Sequence, residues 1–219
     1  MNHFPDCEIF ECEQRTPEWF EHRKGVLTAS NFGAWLLSKS TVTANKARET
    51  AICKCVSELA GAYEQETYVN DAMKRGIELE PEAVKAFEGA TSKKIKEVGF
   101  CKSLHGRYGC SPDGIIIGEP SGLEGKVPVG STHIKYRRAG VLPAEYKLQV
   151  HGSMAVTGAT SWHFQSYSPT LAPFRVVVER DDFTEELKAA LDDFSLDLQA
   201  AIRDESKAWN LAFGEGGEA

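Results

Sequence analysis

Between Ser111 and Pro128 the chain reads SPDGIIIGEPSGLEGKVP, and no other stretch constrains the fold as strongly. Apolar runs bounded by Gly118, Glu119-Pro120 and Ser121-Gly122 predict two short strands, Gly114 to Ile117 and Leu123 to Val127, joined by a turn. Asp113 opens the first strand. Side chains on a strand repeat with period two, so Glu124 and Lys126 project from one face. Two acids and a lysine on one small patch make a divalent-metal site with a cationic neighbour, because hard oxygen ligands suit Mg²⁺ or Mn²⁺. The lysine can hold or help deprotonate an attacking water, and it can offset charge building on a phosphate. Gly125 need supply only its carbonyl, and glycine permits close approach of a metal or phosphate. A symmetric hairpin turning at Pro120-Ser121 would set Asp113 opposite Pro128 rather than Glu124, so strong twist or a bulge is expected to bring the carboxylates together. Taken alone, the pattern serves equally well for a surface hairpin with solvated charges.

The rest of the chain supplies context. Its 219 residues, 42% hydrophobic and 26% charged, fit one large domain over residues 1–219 with a sizeable core. No apolar run approaches the roughly 20 residues of a membrane span, and MNHFPDCEIF lacks the basic and apolar regions of a signal peptide, so a cytoplasmic protein without membrane contact is expected. The six cysteines show no paired spacing with nearby histidines. They are read as small buried hydrophobes or free thiols rather than zinc ligands or disulfides. The net charge of −7 looks wrong for a nucleic-acid binder until it is divided along the chain. Residues 179–219 hold twelve acids and four bases, a balance of −8, which leaves +1 for residues 1–178. From Lys126 to Lys147 the local balance is +4, from Lys126, Lys135, Arg137, Arg138 and Lys147 against Glu145. A basic patch beside the metal site suits a polyanionic substrate, although such clusters are often solvated faces.

Residues 1–14 carry little periodicity and read as an irregular arm. Thr16-Pro17-Glu18 starts a helix that stops at Gly25. A second helix, SNFGAWLLSK, is expected with Thr28 or Ser30 as its cap. Capping is the commoner role for such a residue, and the N-terminus, with Arg23 upstream, is also a ready phosphate site. Ala44 to Leu59 and Tyr68 to Ala90 read as helices, the latter interrupted at Pro81, with Met73, Ile77, Val84 and Phe87 as its apolar stripe. Its Glu78, Glu80 and Glu82 read as a solvated face, in which Glu80 stands out only for preceding Pro81. Strands are expected over Lys94 to Cys101, Tyr108 to Cys110, Trp162 to Tyr167 and Phe174 to Glu179. Gly130 to Gly140 reads as a basic loop. PAEYKLQVHGSMAVTG reads as a helix bearing Gln149 and His151, and Thr184 to Trp209 as a long amphipathic helix capped by Thr184, before a disordered tail over 210–219. This order describes a central mixed sheet flanked by helices, in the α/β or mixed α+β class.

Several blocks in order, QRTPEWFEHRKGVLTAS, RGIELEP, CSPDG, LEGKVP, YKLQVHGSM and FRVVVERDD, resemble the phage lambda exonuclease group of viral recombination nucleases, within the PD-(D/E)xK nuclease superfamily. The resemblance spans about residue 15 to 180. It implies a restriction-endonuclease-like core in which Asp113 and Glu124 are metal ligands, Gly125 a carbonyl ligand and Lys126 the catalytic lysine. Glu80 would be the acid contributed by the preceding helix, and Gln149 the glutamine that organises the site. Arg23, Ser30 and Ser111 match positions that grip a 5′ phosphate. The chain departs from the group at Gly125, where a bulkier apolar residue is common.

The activity implied is processive, Mg²⁺-dependent 5′ to 3′ digestion of linear double-stranded DNA, with two ions, releasing 5′ mononucleotides and leaving a 3′ single strand. The same resemblance implies a ring-shaped homotrimer working beside a single-strand annealing protein, in a phage or prophage setting. Two other readings stay open: an endonuclease or resolvase with the same metal chemistry, and a non-catalytic module that binds DNA ends. The intact set of Asp113, Glu124 and Lys126 argues against the latter, since binding alone has no use for it.

Overall fold

A computed structural model of the chain describes residues 4–38, 41–62 and 71–213. The strands are β1 (Cys7–Phe10), β2 (Leu27–Thr28), β3 (Ile95–Lys96), β4 (Phe100–Ser103), β5 (Tyr108–Cys110), β6 (Gly114–Ile116), β7 (Ser121–Lys126), β8 (Ser161–Ser166) and β9 (Phe174–Glu179). The helices are α1 (Pro17–Arg23), α2 (Val42–Leu59), α3 (Asp71–Thr91), α4 (Gly130–Ala139), α5 (Lys147–Thr157) and α6 (Asp182–Phe213). The mixed α/β architecture expected from the order of elements is present. Its strands sort into two sheets, of order β1-β4-β5-β2 and β3-β6-β7-β8-β9. Lys94 to Cys101, expected as one strand, divides at Glu97–Gly99 and sends β3 to one sheet and β4 to the other.

Helix α5 sits at the centre, packed against α6, β4, β5 and β8. Residues Val150 to Thr157 are all buried, so beyond its first turn the helix has no solvated face. Two of its hydroxyls bond carbonyls four residues back, Ser153 to Gln149 at 3.0 Å and Thr157 to Ser153 at 2.7 Å, and so are satisfied without water. At Gly152 an added Cβ would meet the Phe32 ring at 2.4 Å, so only glycine admits that ring. Helix α6 covers α5 with Leu187, Leu191, Phe194 and Leu198, each fully buried. Each such side chain stabilises the packing by about 1.5–3 kcal/mol. His151 donates or accepts at Thr184 Oγ1, 2.7 Å away, and lies 3.3 Å from Asp181, which makes it a tie between α5 and α6.

Several local expectations are corrected. The N-terminal arm contains β1, because its backbone pairs antiparallel with β4 from Cys7↔Ser103 to Phe10↔Phe100. SNFGAWLLSK forms two 3₁₀ turns, Ala29–Asn31 and Ala34–Leu37, not one helix. The extended Phe32 and Gly33 between them interrupt the hydrogen-bond ladder. Helix α2 begins earlier than Ala44, since Thr41 Oγ1 accepts from the Ala44 N–H at 3.1 Å. The basic segment Gly130 to Gly140 is helix α4, ended by Gly140 in a left-handed conformation (φ 67°). Its buried His133 is held on both ring nitrogens, at 2.8 Å by Ser166 and 3.0 Å by Ala172 O, and these bonds supply the fixed point that a run of surface cations hides in the sequence.

Thr184 lies inside α6 rather than capping it: Asp181 Oδ1 accepts from the Thr184 N–H at 3.1 Å. Residues 210–213 continue α6. The remainder of the expected tail, 214–219, and the start expected for the third helix at Tyr68 lie outside the described residues, as does the side chain of Met73. All six cysteines are free thiols.

Candidate active site

Strand β7 is the frame of the site. It pairs antiparallel with β6 (Gly114↔Leu123, Ile115↔Gly122) and parallel with β8, where Glu124, Gly125 and Lys126 face Phe164, Gln165 and Ser166. Extending the β6 register by one residue sets Asp113 opposite Glu124. The turn therefore lies over Ile117–Pro120, two residues earlier than a turn at Pro120-Ser121, and neither a bulge nor exceptional twist is required. Gly118 takes φ 86° at its apex, a conformation that glycine adopts without strain.

Asp113 accepts the Gly125 N–H on Oδ2 at 2.5 Å. A Cβ at position 125 would stand 3.3 Å from that oxygen, so glycine here makes room for the carboxylate as well as baring the backbone. Glu124 is 2% exposed, and its Oε1 accepts from Gln149 Nε2 at 2.8 Å and from the Lys126 ammonium in a short ion pair. Among the described residues, Oε2 of Glu124 has no hydrogen-bond partner. Gln149 reaches Glu124 from the first turns of α5, and Lys126 lies 5.3 Å above the Tyr146 ring. The expected pairing of Glu124 and Lys126 on one face is thus seen directly.

These charges perturb one another. Burial, then repulsion from Glu124, pushes the Asp113 carboxyl up to about 8, against the opposing pull of Lys126; Glu80 adds to the rise and the Gly125 N–H opposes it. Burial works against charge on Lys126, but Glu124 and Asp113 outweigh it and hold the lysine above its ordinary range. Charged, the lysine is a hydrogen-bond donor and a positive charge beside both carboxylates.

Glu80 comes over the site from α3. That helix is clamped to the second sheet by Gln165 Nε2 to Ala83 O (2.7 Å), Arg175 to Ala86 O (2.9 Å) and Tyr167 to Glu82 (2.5 Å). A cavity of about 490 Å³ results, lined by Asp113, Gly125, Lys126, Glu80, Tyr146 and Arg15. Glu80 meets Arg15 Nη2 at 2.9 Å. Arg15 was not singled out from the sequence. Neither was Gln165, which also lines the cavity and accepts from Arg175 Nε at 2.6 Å. The signal for Gln165 was its place at β8 opposite Gly125; no local pattern marked Arg15.

The residues expected to grip phosphate are only partly assembled. Arg23, in the last turn of α1, donates to Ser111 Oγ at 2.9 Å, and its guanidinium lies 3.9 Å above the Trp19 ring. Trp19 Nε1 also donates to Ser111 Oγ, at 3.0 Å. Burial lowers the Arg23 pKa to about 10, with Glu58 and Cys110 opposing the fall. Among the described residues no carboxylate lies within ion-pair distance of Arg23, and Glu58 acts on it at longer range. Ser30 is exposed in a 3₁₀ turn, with Thr28 Oγ1 at 3.4 Å, and contacts neither Arg23 nor Ser111. The helix N-terminus expected to reinforce an anion site at Ser30 does not form.

The donor set can be tested against a divalent ion. Among the described residues no cluster of three or more His, Cys, Asp or Glu side chains is arranged to hold an ion unaided. Two facing carboxylates, one destabilised in its charged form and one with a free oxygen, beside the side-chain-free backbone of Gly125, do fit Mg²⁺, which takes few protein ligands and retains waters or substrate oxygens.

Residues 18–160 match the family model of the YqaJ-like viral recombinase domain. The chain is 32% identical to LHK-Exo, an alkaline exonuclease from Laribacter hongkongensis, over 90% of this chain and 100% of that one. The TM-scores are 0.73 to that structure and 0.74 to LHK-Exo in complex with dAMP. A phage related exonuclease from Haemophilus somnus 129PT shares the fold, with a TM-score of 0.53 at 14% identity over 81% of this chain and 96% of that one. No curated protein sequence matches the chain.

Proposed function

The chain belongs to the YqaJ-like viral recombinase family, a lambda exonuclease-like group of nucleases, and on that premise we propose that it is a Mg²⁺-dependent exonuclease digesting linear double-stranded DNA from 5′ ends. The observation that carries the reading is Asp113 facing Glu124 across β6 and β7, with Lys126 paired to Glu124 at the rim of one cavity. Asp113, Glu124 and the Gly125 carbonyl would hold the divalent metal, with two ions in the full site. An ion held by these groups would supply Lewis-acid polarisation of the scissile phosphate and positive charge for the departing 3′ oxygen.

The protein's own residues supply the rest. Gln149 fixes Glu124 in one orientation. Lys126, held charged, orients water and offsets charge on the phosphate. Arg23 and Ser111 hold the terminal 5′ phosphate two residues upstream of Asp113, with Ser30 assigned to the same end by resemblance alone. On α4, Lys135, Arg137 and Arg138 are exposed and pair with no acid among the described residues, a surface suited to following a phosphate backbone. A homotrimer ring and a single-strand annealing partner complete the proposal, together with action in a bacterial cytoplasm. Among the described residues no helix is long and apolar enough to cross a membrane.

Digestion of a linear duplex carrying one labelled 5′-phosphorylated strand, beside a closed circle, tests the reading. Label is expected to leave as a mononucleotide only with Mg²⁺ while the circle survives. Linearisation of the circle would establish an endonuclease instead, and inert DNA with retained binding to its ends would establish a binding module.

The end-binding site makes a separate prediction. A terminal phosphate carries more charge than an internal diester, so digestion should start faster on 5′-phosphorylated than on 5′-hydroxyl ends. Arg23→Ala is expected to shrink that ratio by about 10–100-fold, the worth of a charge-assisted contact of about 1.5–3 kcal/mol. Initiation rates on the two ends at equal ionic strength provide the check, and an unchanged ratio would release Arg23 from this role.

A further inference from the structure

We propose that Arg15 grips a non-bridging oxygen of the phosphodiester inside the cleavage cavity, and that Glu80 holds it in waiting until substrate arrives. The proposal rests on the reading of this cavity as the site of phosphodiester hydrolysis. Among the described residues lining the cavity, Arg15 and Lys126 are the cations, and Lys126 is already engaged by Glu124. Among the described residues Arg15 is engaged by Glu80 alone, through one nitrogen, Nη2, at 2.9 Å; the two side chains are 45% and 28% exposed. An ion pair so open to water is weakly held. Exchange balances in charge: the carboxylate of Glu80 is released toward a cation or its water, and the guanidinium is released toward a phosphate. A guanidinium presents two parallel donors that match phosphate oxygens, which a carboxylate contact through one nitrogen does not exhaust.

The backbone shows that the arginine is placed rather than incidental. Arg15 has φ 70°, a left-handed conformation that favours glycine. Both neighbours are pinned: Gln14 Nε2 donates to Pro112 O at 2.9 Å and to Val98 O at 3.2 Å, while Thr16 bonds Glu13 O at 2.7 Å and caps α1. Pro112 immediately precedes Asp113, so the same bond that fixes residue 14 ties the position of Arg15 to that of the first metal-site carboxylate.

Arg15→Gly separates function from fold, because glycine takes the observed φ without strain and the variant should melt no lower than wild type. Single-turnover cleavage of linear duplex with saturating Mg²⁺ is expected to fall by about 10–100-fold, the loss typical of a charge-assisted contact. Arg15→Lys should recover only a minor part of it. Millimolar guanidinium should partly restore the rate of Arg15→Gly and not of wild type. Duplex binding in EDTA, where metal-dependent hydrolysis is suppressed, should weaken in Arg15→Gly and become less dependent on salt. A rate within twofold of wild type, or a deficit with lowered melting and no rescue, would each overturn the proposal. If wild type fails to cleave duplex at all, the reading of the cavity falls. The EDTA titration still tests Arg15, with equal binding by the two proteins counting against it.

Discussion

Asp113→Asn and Glu124→Ala should each lower Mg²⁺-dependent cleavage of linear duplex by about 10³-fold or more, the loss that follows when several kcal/mol of transition-state charge stabilisation is removed. Asp113→Asn should do so without loss of fold, since an amide oxygen can still accept the Gly125 N–H. The burial and repulsion that raise Asp113 to about 8 also set a stability signature. The unfolded carboxyl releases its proton near pH 4 whereas the folded one retains it to about 8. Between those values the folded state binds more protons, so stability of the metal-free protein falls as pH rises, and the loss is complete above about 8. Asp113→Asn lacks this loss. Its melting temperature in EDTA should match wild type near pH 4 and exceed it by pH 9, while added Mg²⁺ should raise melting in wild type only. Mg²⁺ affinity of wild type should strengthen with pH through the same window, because the ion competes with a proton. Cleavage by Asp113→Asn at the wild-type rate, or equal melting of the two proteins at pH 9, would remove the carboxylate from this role.

Lys126→Ala separates the chemical step from binding. With DNA already bound, the single-turnover rate should fall by about 10²–10³-fold, the usual cost of removing one preorganised donor, while duplex affinity changes by less than about fivefold because only one of many phosphate contacts is lost. Stability should also fall. Glu124 is left buried with Gln149 as its remaining side-chain donor, at a cost of about 1–3 kcal/mol. That deficit should shrink when Mg²⁺ supplies the missing positive charge. A normal chemical rate with weakened DNA binding would make Lys126 a phosphate anchor only.

Those three variants probe residues that were legible before any fold was known. Period two on a strand sets Glu124 and Lys126 on one side of it whatever lies above or below, and the turn residues between two apolar runs require a hairpin. In the same way the spacing of Leu187, Leu191, Phe194, Leu198 and Ile202 demands a helix with one buried stripe, and α6 buries the first four fully and Ile202 in part. Where the local pattern is the physical cause, reading it suffices. Order along the chain also revealed the family, since separate blocks in sequence are far more specific than one motif.

Tertiary structure decided the remainder, for reasons that act over distance. The turn lies two residues earlier because Gly118 takes the positive φ at its apex, while Ser121 and Gly122 already pair as strand with Ser161 and Trp162 of β8. A cationic run became α4 because His133 found Ser166 and Ala172, neither of them near it in sequence. Arg23 met Ser111 across 88 residues, whereas Ser30, much nearer along the chain, did not meet it, because Phe32 and Gly33 turn extended and no helix forms there. Arg15 was invisible for the same reason. Its contact with Glu80 spans 65 residues and depends on where α3 is clamped. Periodicity records which face of an element is dry; which charges then meet in a cavity is settled only by the packing of elements remote in sequence.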